Sequence, residues 1–135
     1  MAKAVGTVVF VCEHGSAKSV IAAAHFERLA AAARLDARAI SRGTDPDAAF
    51  TNNTLEGLAR DGLRPAGDAP VRLSARELAE AARVVSFCEL PDAYAYSGLP
   101  ERWEDIPPVS EGYEPARQAI AQRVGQLVRE LSSAE

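Results

Sequence analysis

An eight-residue run, Cys12-Glu13-His14-Gly15-Ser16-Ala17-Lys18-Ser19, puts a thiol, a glycine, two hydroxyls and an ammonium group in one short segment. An apolar run, Val5–Val11 (VGTVVFV), precedes it, and a helix-forming run follows. A chain that leaves a strand and enters a helix presents unpaired backbone N–H groups at the positive end of the helix dipole, which together form an anion site. The amides of Glu13, His14, Gly15, Ser16, Ala17, Lys18 and Ser19 are therefore the expected oxyanion donors. Gly15 permits the positive φ of a tight cradle. Ser16 and Ser19 offer hydroxyls, Lys18 adds charge, and Ser19 is positioned to hydrogen-bond the sulfur. The same field favours thiolate over thiol at Cys12, making it a nucleophile toward a bound tetrahedral centre. The bland alternative for a lone cysteine is a small hydrophobe at a strand end.

Several elements must position this loop. Val5–Val11 is short, β-branched and apolar, the pattern of a strand buried on both faces. Ala17–Arg34 contains neither Gly nor Pro and is expected to be a long helix. Asp36–Ser41 is a second strand, and residues 42–46 form a loop by their turn residues. Asp47–Asp61 is helical, with Gly62 at its C-terminus. Residues 64–71 are irregular. Ser74-Ala75-Arg76-Glu77 is a capping box for a short helix ending near Ala82. Arg83–Phe87 is a third buried strand that delivers Cys88, and residues 91–101 are a loop or short helix. Arg102–Ile106 is a short fourth strand stopped by Pro107 and Pro108. Gly112–Leu131 is a final amphipathic helix with Ala116, Ile120, Val124, Leu127 and Leu131 on one face. Alternating strands and helices imply an α/β fold with a parallel sheet covered on both sides. Its ligands bind beyond the carboxyl ends of the strands. Cys12, Arg42 and Cys88 all fall just past predicted strand ends.

The 135 residues fit one domain, 1–135, with a net charge of −4. A mildly acidic chain is not a general nucleic-acid binder, since that binding depends on Lys and Arg neutralising phosphates. No stretch approaches the roughly 18 apolar residues that cross a membrane. Only two cysteines, far apart, and no signal peptide point to a reducing cytoplasm. His14 and His25 have no clustered partners in sequence, so no metal site is expected.

The segment VVFVCEHGSAKS resembles the opening of the low-molecular-weight protein tyrosine phosphatase and thiol-dependent arsenate reductase superfamily, whose loop reads Cys-x5-Arg-Ser. SRGTDPDAAFTNNTLEGLARDGL is similar to its Ser-x-Gly-Thr loop and following helix. LSARELAEAARVVSF and YEPARQAIAQRVGQLVREL resemble its third strand unit and closing helix. The resemblance implies a four-stranded parallel sheet flanked by helices, a Rossmann-like three-layer sandwich. It also implies a Cys12 nucleophile, a small oxyanion or phosphorylated substrate, and no metal or organic cofactor.

The chain departs from that pattern in ways that bear on activity. Lys18 stands where the family has arginine, a point charge in place of a planar fork. Gly15 stands where many members have a bracing asparagine. The family's acid is a late Asp-Pro pair; matching the tryptophan to Trp103 puts Pro107 at the aspartate position. Asp105 lies two residues early, and Glu104 and Glu111 are the other candidates. Cys88 stands where several arsenate reductases carry a resolving cysteine, although the second resolving cysteine is absent; core packing is its other reading. Arsenate reduction needs a second thiol and no acid for an alkoxide, which tilts the reading toward reduction with an external thiol as partner. Arg42 is a candidate second cation for the oxyanion or a solvated loop residue. Glu13 opposes anion binding and is expected to point out. His14 either tunes Cys12 or is a spectator. Tyr94, Tyr96 and Trp103 either wall the mouth or cover the sheet edge. Three functions follow: an arsenate-reductase-like enzyme, a phosphatase with a relocated acid at Asp105, and a non-catalytic oxyanion binder.

Overall fold

The computed structural model describes residues 3–94, 98 and 100–133. Four parallel strands form the sheet: β1 (Lys3–Cys12), β2 (Leu35–Gly43), β3 (Arg83–Ser86) and β4 (Glu101–Arg102), in the order β2-β1-β3-β4. The helices are α1 (Lys18–Ala32), α2 (Asn52–Arg60), α3 (Ala75–Glu80) and α4 (Tyr113–Ser133). The path from β1 runs to β2 on one side and returns to β3 on the other. The reversal opens a crevice at the carboxyl ends of β1 and β3, where such sheets bind ligands.

Alternation along β1 fills both faces. Val8, Phe10 and Cys12 join the larger core with α1 and α4, while Val9 and Val11 join a smaller core with Leu73, Leu78 and Val84. Helix α1 is buried continuously from Ser19 to Phe26, as a helix held between a sheet and a second helix must be. On α4 the expected face of Ala116, Ile120, Val124, Leu127 and Leu131 is the buried one. The capping box is present: Glu77 N donates to Ser74 Oγ at 3.1 Å, and Ser74 N donates to Glu77 Oε1 at 3.0 Å.

Two expected elements are displaced. Helix α2 starts at Asn52, not Asp47, because Thr51 is its cap and the preceding residues bond to the β1–α1 loop. Strand β4 is Glu101–Arg102, not Arg102–Ile106; it pairs only with Val85 and Ser86, where β3 ends. Trp103 then turns inward at 1% exposure, its indole donating to Glu101 Oε2 at 2.7 Å. No helix among the described residues is long and apolar enough to cross a membrane.

Candidate active site

The loop between Cys12 and Lys18 is fastened through its carbonyl groups. Thr44 N donates to Cys12 O (3.3 Å), Asp45 N to Glu13 O (2.7 Å), Asp47 N to His14 O (3.0 Å) and Thr51 N to Ser16 O (3.1 Å). The N–H groups of residues 13–18 find no protein acceptor among the described residues. Carbonyls face the scaffold and amides are left for a ligand. Helix α1 has no side-chain cap at Ala17, so the positive end of its dipole is also uncompensated. Gly15 has φ +63°, and a Cβ there would lie 2.9 Å from Gly43 N. A Cβ on Gly43 would lie 2.8 Å from Gly15 N. Two glycines in backbone contact therefore set how closely the loop sits on β2.

Cys12 is 9% exposed, and its Sγ is hydrogen-bonded to the buried Ser19 Oγ at 3.0 Å. Lys18 Nζ donates to Ile106 O at 3.1 Å, which leaves two of its three donors. Cys12 and Lys18 line a cavity of about 520 Å³, walled further by Asn52 and Asn53 of α2 and by Pro108, Val109 and Ser110 of the late loop. Phe87 and Cys88 close it from the end of β3. Phe87 N donates to Val11 O at 2.8 Å, so Cys12 and Cys88 leave adjacent strands into the same cavity. Ser86 holds Cys88: Cys88 N donates to Ser86 Oγ at 3.2 Å, and the hydroxyl lies 3.7 Å from Cys88 Sγ. Burial pushes the Cys88 thiol above its ordinary value.

Several expected site residues fall elsewhere. Arg42 is not an oxyanion ligand: its guanidinium pairs with Glu77 at 2.8 Å on the α3 face. Strand alternation explains this, since Arg42 shares its side of β2 with Ile40, which packs into the smaller core, whereas Cys12 faces the larger one. Asp105 is not in the cavity; both its carboxylate oxygens take Arg123 Nη2, at 2.6 and 2.7 Å. That guanidinium holds its carboxyl below the usual carboxylate range, the reverse of what a general acid needs. Glu104 pairs with Arg102, and Glu111 is exposed; neither lines the cavity. Ser16 lines the cavity, and its hydroxyl is engaged by Asp47, donating to Oδ2 at 2.9 Å.

Glu13 lines the cavity, with its side chain 64% exposed. His14 donates from Nδ1 to Asp45 O at 3.2 Å and is half exposed at the rim. Trp103 packs under the floor against Phe10 and Phe87, and Tyr94 packs with the smaller core; neither walls the mouth. Tyr96 lies outside the described residues. His25 is buried in α1 beside Asp61 at 3.6 Å, far along the helix from the loop.

The structure also gathers what sequence spacing could not. Glu13, His14 and Asp45 each offer a ligand atom within 4.8 Å of the others, a donor set able to hold a divalent cation, with all three residues exposed. They come from two loops, so nothing in their spacing signals the cluster. Asp47, Asn52 and Asn53 were likewise hidden inside an expected helix. Gly43 was visible only as the glycine of the Ser-x-Gly-Thr loop.

A profile of the family "Low molecular weight phosphotyrosine protein phosphatase" matches residues 7–98. No curated protein matches the chain by sequence. Among solved structures, YfkJ from Bacillus subtilis superposes with a TM-score of 0.78 at 21% identity, covering 93% of each chain. An arsenate reductase from Archaeoglobus fulgidus gives 0.69 at 23%, covering 94% of this chain and 99% of that one. YwlE, an arginine phosphatase, gives 0.79 at 16%, with 96% and 97% covered. At these identities the superpositions establish a shared fold.

Proposed function

The chain belongs to the low molecular weight phosphotyrosine protein phosphatase family, and from that premise we propose that Cys12 attacks a bound tetrahedral oxyanion, and that this oxyanion is arsenate, reduced by Cys12 and Cys88 in turn. The observation that carries the reading is that two thiols line one cavity while no carboxyl of the late loop does. Phosphomonoester hydrolysis needs an acid for its departing alkoxide. Arsenate reduction needs a second thiol.

In this mechanism the amides of residues 13–18 and Lys18 hold the arsenate oxygens. The Cys12 sulfur bonds to arsenic, and one arsenate oxygen departs as water with protons from the bound anion and solvent. Cys88 then attacks Cys12 Sγ. A disulfide forms, the sulfur–arsenic bond breaks, and its electron pair stays on arsenic, which passes from As(V) to As(III). The Cys88 proton goes to the departing arsenite oxygen. Ser86 orients Cys88 for this step. An external thiol reduces the disulfide by exchange. The thioredoxin-dependent arsenate reductase among the solved structures supports a thiol partner of this kind.

The test is arsenite formation with excess dithiothreitol, with aryl phosphate hydrolysis in parallel, for wild type, Cys12→Ser and Cys88→Ser. The expected result is arsenite from the wild type, none from Cys12→Ser, and a rate at least tenfold lower for Cys88→Ser. Fast aryl phosphate hydrolysis that ignores Cys88→Ser, with no arsenite, would make the protein a phosphatase. Phosphate binding with neither activity would make it an oxyanion binder.

A further inference from the structure

Inorganic arsenate fills only a small part of the cavity. A tetrahedral oxyanion takes the room of two or three waters, on the order of 60–90 Å³ at about 30 Å³ per water, against about 520 Å³ available. Apolar side chains line that space from three directions: Ala17 just before α1, Phe87 at the end of β3, and Pro108 and Val109 in the late loop. Phe87 is a fixed wall. Its ring packs edge-on against Trp103 at 5.7 Å, and its N–H donates to Val11 O at 2.8 Å. About 150 Å³ is room enough for a benzene ring, so the cavity accommodates an apolar group of that size beside the anion.

An anion made of oxygen atoms alone leaves these walls against water. A carbon group carried by the anion would cover them, and burying apolar surface is favourable. The chemistry of the site decides how that group is attached. A phosphate monoester carries it through oxygen, and expelling it takes a proton from an acid. The late-loop carboxyls Glu104, Asp105 and Glu111 do not line the cavity. An arsonate carries its carbon group on arsenic itself. No alkoxide has to leave, and the oxygen that departs does so as water, as it does from arsenate.

We infer that the pocket also takes organic arsonates, compounds with an apolar carbon group bonded directly to arsenic, and reduces them to arsonous acids, with the carbon group against Phe87, Pro108 and Val109. The inference rests on the reading that Cys12 and Cys88 reduce arsenate in turn. Cys12 Sγ bonds to arsenic, and one oxygen leaves as water with protons from the bound anion and solvent. Cys88 attacks Cys12 Sγ and a disulfide forms. The sulfur–arsenic bond breaks with its electron pair on arsenic, which passes from As(V) to As(III), while the carbon–arsenic bond is untouched. One arsonic acid and two thiols give one arsonous acid, one disulfide and one water, and the external thiol restores both cysteines by exchange.

The test is formation of trivalent product from arsenate, methylarsonate and phenylarsonate with excess dithiothreitol, the arsenic species separated by chromatography and Cys12→Ser serving as the blank. The expected result is reduction of both arsonates. The kcat/KM for phenylarsonate should exceed that for methylarsonate roughly five- to tenfold, the worth of half-burying an aromatic side chain. That phenyl-to-methyl ratio should fall about twofold or more in Phe87→Leu and in Pro108→Ser. Taken within one protein, the ratio does not depend on how much active material a variant yields. Arsenate reduced with neither arsonate touched overturns this inference and leaves arsenate reduction standing. A ratio near parity in the wild type, or one that both variants leave unchanged, overturns the apolar wall as the seat of the carbon group. If none of the three compounds is reduced, the reading of two thiols acting on arsenic fails and this inference with it.

Discussion

Replacing Gly43 by alanine tests how the anion loop is held without touching any group that contacts a ligand. The new Cβ would lie 2.8 Å from Gly15 N, 2.9 Å from His14 C and 3.1 Å from Gly15 Cα, all backbone atoms that cannot rotate away. Reaching ordinary contact near 3.5 Å requires the loop to move outward by roughly 0.7 Å. The Thr44 N to Cys12 O bond is already 3.3 Å and would break; Asp45 N to Glu13 O, at 2.7 Å, would stretch to the limit. Overpacking costs about 1–3 kcal/mol and a lost backbone hydrogen bond about 1 kcal/mol, together about 2–4 kcal/mol. Urea unfolding should report that loss. Because the amides of residues 13–18 would be displaced as a set, phosphate protection of Cys12 from alkylation should weaken at least tenfold, a change equivalent to about 1.4 kcal/mol of binding. Gly67→Ala is the control, since its Cβ meets nothing within 4 Å. It should stay within about 0.5 kcal/mol of wild type. A Gly43→Ala protein with wild-type unfolding and wild-type phosphate protection would refute the claim that glycine-on-glycine contact sets the loop.

Three further outcomes follow from the same geometry. Ser19→Ala removes the buried hydroxyl 3.0 Å from Cys12 Sγ; a hydrogen bond is worth about 0.5–1.5 kcal/mol net, so alkylation of Cys12 should slow about two- to tenfold. Asp105→Asn should leave arsenite formation within about twofold of wild type, because the carboxylate faces Arg123 outside the cavity; a large drop would return Asp105 to the chemistry. His25 should make the fold acid-labile. Burial lowers its proton affinity against the opposing pull of Asp61, with Arg28 and Arg117 adding to the lowering. The unfolded chain therefore takes up the proton first, and stability present above pH 6.5 is lost progressively as pH falls below it. The urea midpoint measured against pH should show this slope, and His25→Gln should flatten it.

The parts of the site legible in sequence were those written in contiguous residues. The β1–loop–α1 segment announced itself because one run supplies the buried strand, the glycine, the hydroxyls and the helix formers. Ser19 belongs to the same run and its bond to Cys12 was expected from that and from the family resemblance, and the capping box at Ser74 and the buried face of α4 were equally local. What failed was set by tertiary partners. Arg42 was expected in the loop past the second strand; it lies within β2 instead, and period-two alternation assigns it to the face of α3 and Glu77. Residues 47–50 read as helix, but Asp47 N on one side and Thr51 N on the other are recruited to fasten the loop, which no local pattern encodes. Asp105 was proposed by register with the family's late Asp-Pro acid, two residues early of its position, and a guanidinium on α4 claims it. The acidic cluster of Glu13, His14 and Asp45 needed two loops to meet.

The central claim, two thiols acting in sequence on one bound oxyanion, is tested most directly by a single turnover without external thiol. Fully reduced protein is mixed with arsenate, arsenite is counted, and the remaining thiols are mapped by mass spectrometry. The prediction is one arsenite per chain, with Cys12 and Cys88 joined as a disulfide. Arsenite released while both thiols stay free, or no arsenite from protein whose Cys12 is protected by arsenate, would contradict it.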